Sequence, residues 1–186
     1  KNGDILFDVG AYYGKYSLAF LAKDKENKVV AFEPNPESHL KLLKNIKCNE
    51  VSDRIKSYNI GLSDCDNILS FYISSTSGRS SFNEYNAKYD GNYIIDIKKI
   101  QVKSIDSIIK YLPKPNHIKI DAEGYEFKIL KGMKKTILKY KPIIYYEPHK
   151  NINIKKSIEK TEKFFDEIRY KIIKFDYPWI CFPNTH

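Results

Sequence analysis

Long apolar runs are missing from this 186-residue chain. No run approaches the roughly 20 consecutive apolar residues that cross a bilayer, so the sequence excludes a transmembrane protein. No signal peptide is visible, and we expect a cytoplasmic protein. The chain starts at Lys1 without a methionine and enters its first predicted strand almost at once. This start predicts a trimmed N-terminus that lacks a helix or arm.

Cysteine and arginine are scarce as well. The three cysteines stand far apart with no Cys-x-x-Cys pair, which favours free thiols in a reducing compartment and offers no zinc site. They are Cys48, Cys65 and Cys181. The net charge of +9 comes mostly from lysines spread along the chain. A solvated basic surface explains this charge, and attraction to nucleic acid, an anionic glycan or a membrane surface is the alternative.

The length suits one domain, which we place at residues 1–186. No internal repeat is apparent. Residues 74–99 are rich in Ser, Asn, Gly and Tyr and lack the periodicity of a core element. A polar insertion of this length inside a domain is typical of a lid or binding loop, and a disordered insertion is the alternative.

The first forty residues carry the most informative pattern. An apolar run ends at Asp8, and a glycine turn between Gly10 and Gly14 opens an amphipathic segment, which predicts a strand, a tight turn and a helix. A second apolar run, Val29 to Phe32, ends in Glu33, about 25 residues after Asp8. An acid at that place can accept hydrogen bonds from both hydroxyls of a ribose.

The glycine spacing separates two classes of nucleotide cofactor. A dinucleotide needs Gly-x-Gly-x-x-Gly to bring its pyrophosphate against the helix, whereas here Tyr12 occupies the middle position. Asp8 would repel a pyrophosphate but suits a cofactor with an amino group and a sulfonium. We therefore favour S-adenosylmethionine over a nicotinamide dinucleotide; a purely structural turn is the simpler alternative.

Strand and helix patterns alternate along most of the chain. The predicted helices include 36–49, with Asn35 as N-cap, and 126–140, and the predicted strands include 117–120 and 143–146. Residues 170–175 and 179–182 predict a terminal hairpin. This order predicts an α/β fold with a mainly parallel sheet, helices on both faces and ligands beyond the carboxyl ends of the strands.

Four acids stand at the predicted carboxyl ends of strands and should line one crevice: Asp8, Glu33, Asp121 and Glu147. Glu123 and His149 follow closely behind two of them. This group can supply a general base, bind a divalent metal, or cap helices. The three interpretations stay open, and Glu123 suits helix capping and a substrate contact about equally.

Methyl transfer to an alcohol is an in-line displacement that requires a positioned acceptor and a group to take its proton. His149 is the best base by intrinsic pKa. Asp121 or Glu147 could orient that imidazole or take the proton directly. Oxygen ligands without tight spacing are weak evidence for a metal, so we predict none, although magnesium stays possible.

Several segments together resemble the FkbM-type methyltransferases. The resemblance covers about residues 4 to 150, and the block from Ile118 to Glu126 is its most specific part. The matching segments are Asp8-Val-Gly-Ala-Tyr-Tyr-Gly14, Phe32-Glu-Pro-Asn-Pro36, Gly61-Leu-Ser-Asp64, Ile118-Lys-Ile-Asp-Ala-Glu-Gly-Tyr-Glu126, Leu130-Lys-Gly132 and Pro142 to His149. The tail, residues 151–186, matches less clearly.

The resemblance implies a class I Rossmann-like methyltransferase with a seven-stranded sheet. It also implies that the enzyme uses S-adenosylmethionine to methylate a hydroxyl of a sugar, glycan or natural product. The predicted cofactor contacts are Asp8, Gly10, Ala11, Tyr13, Gly14, Glu33, Pro34, Asn35, Ser63 and Asp64, of which Ser63 and Asp64 would contact the adenine. The predicted substrate contacts are Ser80, Ser81 and Glu123. The predicted catalytic residues are Asp121, Glu147 and His149.

Two rival functions are weighed against this one. The basic charge suggests an RNA methyltransferase, but the sequence has neither an Asn-Pro-Pro-Tyr-like motif nor an appended RNA-binding module. The other rival is a catalytically silent module that keeps the fold for binding. The acids at every strand end argue against a catalytically silent module, because a domain without catalytic function has no need to retain carboxylates that repel one another. We expect a small-molecule or glycan substrate, with a nucleic-acid partner as the less favoured alternative.

Overall fold

Short apolar segments form the strands in the computed structural model, which describes residues 3–149, 154–175 and 178–184. In chain order the strands are β1 (Ile5–Val9), β2 (Lys28–Phe32), β3 (Ile55–Tyr58), β4 (Gly61–Leu62), β5 (Asn67–Ser74), β6 (Ile94–Lys103), β7 (His117–Ile120), β8 (Ile143–Tyr146), β9 (Tyr170–Ile173) and β10 (Trp179–Pro183).

Seven of these strands form one sheet in the order β3-β2-β1-β7-β8-β10-β9. The five strands from β3 to β8 pair in parallel, and β10 pairs antiparallel with both β8 and β9. This arrangement confirms the predicted seven-stranded, mainly parallel sheet with a terminal antiparallel hairpin. The carboxyl ends of β1, β2, β7 and β8 therefore meet at one edge.

The helices connect these strands and cover the sheet. They are α1 (Lys15–Lys23), α2 (Pro36–Cys48), α3 (Glu84–Ala87), α4 (Ile105–Ile108), α5 (Glu126–Gly132), α6 (Lys134–Tyr140) and α7 (Ile154–Glu167). The Asn35 side chain accepts from the Glu37 amide and Pro36 begins the helix, which confirms the predicted cap of α2. None of the helices in the described ranges has the length and apolar character to cross a bilayer.

Alternate residues of the central strands supply two cores, one on each face of the sheet. Phe7 packs into the larger core with residues of α5, α6 and α7, whereas Leu6 packs into the smaller core with residues of α1 and α2. Successive side chains of a strand point to opposite faces, so both faces of a central parallel strand must be apolar. The sheet edge above these cores is consequently held in a fixed position.

The polar insertion contains more regular structure than the sequence predicted. β6 starts at Ile94, inside the segment assigned to a loop, and pairs antiparallel with β5 and parallel with β4. The prediction failed here because β6 carries exposed apolar side chains at Ile95 and Ile97, so the strand lacks clean apolar–polar alternation. A short 3-10 turn, Ser77–Arg79, and α3 lie between β5 and β6.

The single helix predicted over residues 126–140 is also wrong, because the helix is broken at Met133. Asp106 explains the break: its carboxylate accepts hydrogen bonds from the Lys135 and Thr136 amides and from the Thr136 hydroxyl at 2.7–3.0 Å. A carboxylate at this place caps α6 as a new helix start. The cap comes from α4, which the local sequence pattern does not reveal.

Gly132 at the end of α5 provides a test of the packing beside β4. A Cβ at this position would lie 1.8 Å from the Ser63 carbonyl oxygen. We expect Gly132→Ala to lower the free energy of unfolding by about 1–3 kcal/mol or more, because the backbone must move to relieve the overlap. Urea denaturation measures the change.

Gly78→Ala is the matched control, since a Cβ there meets nothing closer than 4.0 Å. The control should stay within about 1 kcal/mol of the wild type. Equal unfolding midpoints for the two variants would contradict the close contact between α5 and the Ser63 backbone.

Candidate active site

The turn after β1 requires glycine at two positions for different reasons. Gly10 has a φ of 72°, and a Cβ on it would lie 1.8 Å from the Asp121 carbonyl oxygen. Gly14 has a φ of 88° and precedes α1, where a Cβ would lie 2.5 Å from Leu42. The Gly10 and Ala11 amides donate to the Phe32 carbonyl at 3.0 and 3.1 Å. The turn is thereby fixed against β2 and against the segment that follows β7.

A cavity, here called the first cavity, opens beside this turn at the carboxyl ends of β1, β2 and β7. Its walls combine the glycine turn with apolar side chains of β2, β5 and the segment before β4. The lining includes Gly10, Ala11, Tyr12, Phe32, Glu33, Pro34, Asn35, Ile60, Gly61, Leu62, Phe71, Ser80, Phe82, Lys119, Asp121 and Glu123. Such a largely apolar cleft with a few polar groups is typical of a cofactor site.

Glu33 lines the first cavity, as the sequence predicted from its place after β2. Its carboxylate accepts from the Tyr12 amide at 2.7 Å and from the Asn35 amide at 2.8 Å. The side chain is buried, and this burial raises the pKa of the Glu33 carboxyl to about 7, although the two backbone hydrogen bonds oppose the rise. Each oxygen keeps a second lone pair for a ligand hydroxyl.

Lys119 links the strand ends beneath this cavity, a role that the sequence analysis missed. Its ammonium donates to the Gly10 carbonyl at 2.9 Å and lies 3.4 Å from Asp8 Oδ1 and 3.2 Å from Asp121 Oδ2. Burial alone would lower the pKa of Lys119, but the charges of Asp8 and Asp121 outweigh burial and raise it. The available signal was a lysine between two isoleucines in a buried strand.

Asp8 does not line the first cavity. It is fully buried, and its carboxylate accepts from the Ser17 hydroxyl at 2.6 Å and faces Lys119. The sequence predicted a direct contact between Asp8 and a cationic cofactor. In the structure its charge is directed to Lys119, so any effect of Asp8 on a ligand passes through that lysine and the Gly10 carbonyl.

The remaining predicted cofactor and substrate residues divide between the cavity and its surroundings. Ser63 is buried against Tyr125, and Asp64 forms an ion pair with Lys131 at 2.7 Å, so neither lines the first cavity. Burial opposes the effect of Lys131, which nevertheless lowers the pKa of Asp64. Ser80 lines the cavity, whereas Ser81 lies behind it and donates to the Glu123 carbonyl at 2.8 Å.

Tyr12 and Tyr13 connect the glycine turn to the polar insertion. Their rings stack with centroids 3.6 Å apart, and both hydroxyls lie within hydrogen-bonding distance of the Ser77 hydroxyl, at 2.7 and 3.2 Å. Lys41 donates to the Tyr13 hydroxyl at 2.9 Å and, as the largest influence, lowers the pKa of Tyr13 to about 8. The 3-10 turn of the insertion is thus held over the first cavity.

A second cavity adjoins the first and shares Gly78 and Glu123 with it. It is lined by Thr76, Gly78, Arg79, Asn86, Tyr89, Asp90, Glu123, Glu147 and His149. Two of the four acids predicted for the crevice, Asp121 and Glu147, therefore lie around the junction of the two cavities, together with Glu123 and His149. The lining of the second cavity is strongly polar, in contrast to the apolar walls of the first.

His149 is surrounded by carboxylates. Its Nδ1 lies 2.8 Å from Glu126 Oε1, and its Nε2 lies 3.3 Å from Glu123 Oε1 and 3.7 Å from Asp121 Oδ1. Burial alone would lower the pKa of His149, but hydrogen bonds to Glu123 and Glu126 raise it to about 11. This environment favours a carboxylate over the imidazole as the proton acceptor. The sequence analysis did not identify the partner Glu126.

Glu123 is held in an unusual conformation between the two cavities. Its φ is 48°, in the left-handed region that non-glycine residues rarely adopt, and the Ser81 hydroxyl anchors its carbonyl. Arg79 faces its carboxylate at 3.7 Å. Strained backbone of this kind often occurs at functional sites. Glu126, rather than Glu123, accepts from the Ala122 and Gly124 amides before α5.

Comparison with known proteins gives a family and a fold. Residues 8–178 match the family described as Methyltransferase FkbM domain. The hexuronic acid methyltransferase AglP of Haloferax volcanii is 33% identical over 138 residues, covering 72% of this chain. A human tRNA (guanine(37)-N(1))-methyltransferase is 45% identical over only 60 residues, covering 32% of this chain and 11% of its own.

The solved structures agree on the fold. The crystal structure of an FkbM methyltransferase from Methylobacillus flagellatus superposes with a TM-score of 0.69 at 20% identity and covers 97% of this chain. This chain spans 51% of AglP and 44% of the Methylobacillus chain. It therefore corresponds to about half the length of these relatives.

The raised pKa of Glu33 predicts a pH dependence of stability. The folded protein holds this proton more tightly than the unfolded chain between pH 4.5 and about 7, so stability falls as pH rises through that interval. The loss has an upper limit of about 3 kcal/mol, at 1.36 kcal/mol per pKa unit. Glu33→Gln removes this titration and should flatten the curve.

Urea unfolding at pH 5, 6, 7 and 8 measures the slope for each protein. Glu37→Gln is the control, because Glu37 is an exposed acid four residues away and should keep the wild-type slope. Parallel curves for the wild type and Glu33→Gln would contradict the burial of an ionisable Glu33.

Proposed function

Because the chain belongs to the FkbM methyltransferase family, we propose that it is an S-adenosylmethionine-dependent O-methyltransferase acting on a hydroxyl of a sugar or glycan. One observation carries the proposal: the cavity that contains Glu33 shares Gly78 and Glu123 with a neighbouring cavity that is also lined by Glu147 and His149. A methyltransferase needs these two adjacent compartments, one for the cofactor and one for the acceptor.

The first cavity suits the cofactor. Glu33 would accept hydrogen bonds from the ribose hydroxyls, in the manner of an acid at the end of the second strand of a nucleotide-binding fold. Phe32, Ile60 and Leu62 offer apolar surface for the adenine. Close packing of Gly10 on the Asp121 carbonyl fixes the turn that borders this cavity.

The second cavity suits the acceptor. S-adenosylmethionine supplies a methyl group whose bond to sulfur breaks as the acceptor oxygen bonds to carbon, leaving S-adenosylhomocysteine and a proton to be removed. Asp121 and Glu147 are the carboxylates placed to take this proton. His149 has carboxylates within 3.3 Å of both ring nitrogens, so we assign the proton to a carboxylate rather than to the imidazole.

The polar lining points to a polyhydroxylated acceptor. Thr76, Asn86 and Tyr89 add neutral polar groups to the charged side chains of the second cavity. Such polar groups can hydrogen-bond to the hydroxyl groups of a sugar. The relationship to AglP, described as a hexuronic acid methyltransferase, supports a sugar acceptor.

RNA methylation is the second candidate, supported by the short match to a tRNA methyltransferase and by the net charge of +9. The match covers only 60 residues and 11% of the tRNA methyltransferase, so it carries little weight for the acceptor. Methylation of RNA that weakens steeply with added salt would favour this candidate over a sugar acceptor.

Cofactor binding tests the first half of the proposal. Isothermal titration at pH 8 in the presence of EDTA should detect S-adenosylhomocysteine binding to the wild type and no binding of NAD. Glu33→Gln should bind about ten- to a hundredfold more weakly, because it loses hydrogen bonds to a charged carboxylate. Glu37→Gln is the matched control and should bind like the wild type.

Absence of detectable S-adenosylhomocysteine binding would overturn the cofactor assignment and favour a non-catalytic module. Equal affinity in Glu33→Gln and the wild type would overturn the role of Glu33 specifically.

Acceptor turnover tests the second half. With uronic acids and their glycosides as acceptors, Asp121→Asn should lower kcat by about a hundredfold or more, because loss of a general base typically costs 10²–10⁴-fold. S-adenosylhomocysteine affinity should change by only a few-fold. Asp66→Asn, a surface acid paired with Lys103, is the control that should retain activity.

Release of S-adenosylhomocysteine from S-adenosylmethionine, measured by mass spectrometry, gives kcat for each variant. Undiminished kcat in Asp121→Asn would contradict the placement of the acceptor at the junction of the two cavities.

A further inference from the structure

We infer that Asp121, Glu123 and His149 bind one divalent metal ion, of the series from Mn²⁺ to Zn²⁺, at the junction of the two cavities. This inference departs from the expectation of a metal-free site. Metal binding is inferred from the geometry of the three side chains alone. Only the role of the ion in catalysis rests on the proposed function.

The ligand atoms have suitable spacing. One atom from each of the three side chains lies within 4.8 Å of the other two. Nε2 of His149 is 3.3 Å from Glu123 Oε1 and 3.7 Å from Asp121 Oδ1. Two ligands about 2.1 Å from one ion are separated by about 3.0–4.2 Å, depending on the angle between them. A shared ion therefore fits with little movement of these side chains.

Glu126 orients the imidazole for this purpose. Its buried carboxylate is hydrogen-bonded to Nδ1 of His149 at 2.8 Å. The same carboxylate accepts hydrogen bonds from the Ala122 and Gly124 amides, which fix its position. A hydrogen bond from one ring nitrogen to a carboxylate is the usual accompaniment of a metal bound to the other nitrogen. Nε2 is thus directed at Asp121 and Glu123, and it is the third ligand.

The charges around the site favour a cation. Four carboxylates surround the junction of the cavities. Among the described residues, the basic side chains that contact them are Lys119, on Asp121, Arg79, on Glu123, and the imidazole of His149. The carboxylates are Asp121, Glu123, Glu126 and Glu147. A divalent ion between Asp121 and Glu123 offsets the repulsion that their approach to one another creates.

The ligand types select the metal. Magnesium and calcium prefer a shell made of oxygen, whereas an imidazole with two carboxylates suits manganese, iron, cobalt or zinc. Glu123 borders both cavities and His149 borders the second, so the open positions of the ion would face the acceptor. An acceptor hydroxyl bound there would lose its proton more easily, with Glu147 as the carboxylate that receives it.

Manganese binding to the metal-free protein tests the inference without any turnover. After dialysis against a chelator, loss of the free Mn²⁺ paramagnetic resonance signal on titration should show one saturable site per chain. Glu123→Gln should weaken Mn²⁺ binding at least tenfold, and Glu126→Gln should weaken it about ten- to a hundredfold through misorientation of His149. Glu159→Gln, an exposed acid on α7, should bind like the wild type.

Circular dichroism melting establishes that each variant is folded before titration. Absence of a saturable Mn²⁺ site, or affinity that Glu123→Gln and Glu126→Gln leave unchanged, would overturn the inference. Full methylation activity in excess EDTA would overturn the catalytic role of the ion while leaving the proposed function intact. Failure of S-adenosylhomocysteine binding, measured separately in EDTA, would instead count against the proposed function alone.

Discussion

The buried ammonium of Lys119 is the interaction on which this sheet edge depends. A charge removed from water is stable only when it is paired, and Lys119 finds its partners in Asp8, Asp121 and the Gly10 carbonyl. These partners belong to β1, to the segment after β7 and to the glycine turn. One side chain consequently fixes the relative positions of three segments that form the walls of the first cavity.

The glycine turn and the acidic loop act as one rigid unit for the same reason. Gly10 packs so closely on the Asp121 carbonyl that no side chain fits between them. Any shift of the turn would therefore move Asp121, and with it the carboxylates around His149. Ser81 adds a further constraint, since it ties the polar insertion to the Glu123 backbone. The two cavities are thus positioned by shared contacts rather than separately.

Sequence patterns predicted the parts of the site that depend on strand order. Glu33, Asp121 and Glu147 follow β2, β7 and β8, and parallel strands bring such residues to one edge. The patterns failed where a partner comes from elsewhere in the chain. The break at Met133 depends on Asp106, and the environment of His149 depends on Glu126, Glu123 and their packing. Local spacing does not encode these contacts.

The sequence by itself determined the alternation of strands and helices, the family resemblance and the acids at the strand ends, because each of these depends on neighbouring residues or on chain order. Only the tertiary structure determined the burial, the partners and the protonation of those acids. Burial raises the pKa of Glu33, Lys119 takes up the charge of Asp8, and carboxylates enclose His149. Ionisable groups respond to distance and solvent, and only the folded chain sets both.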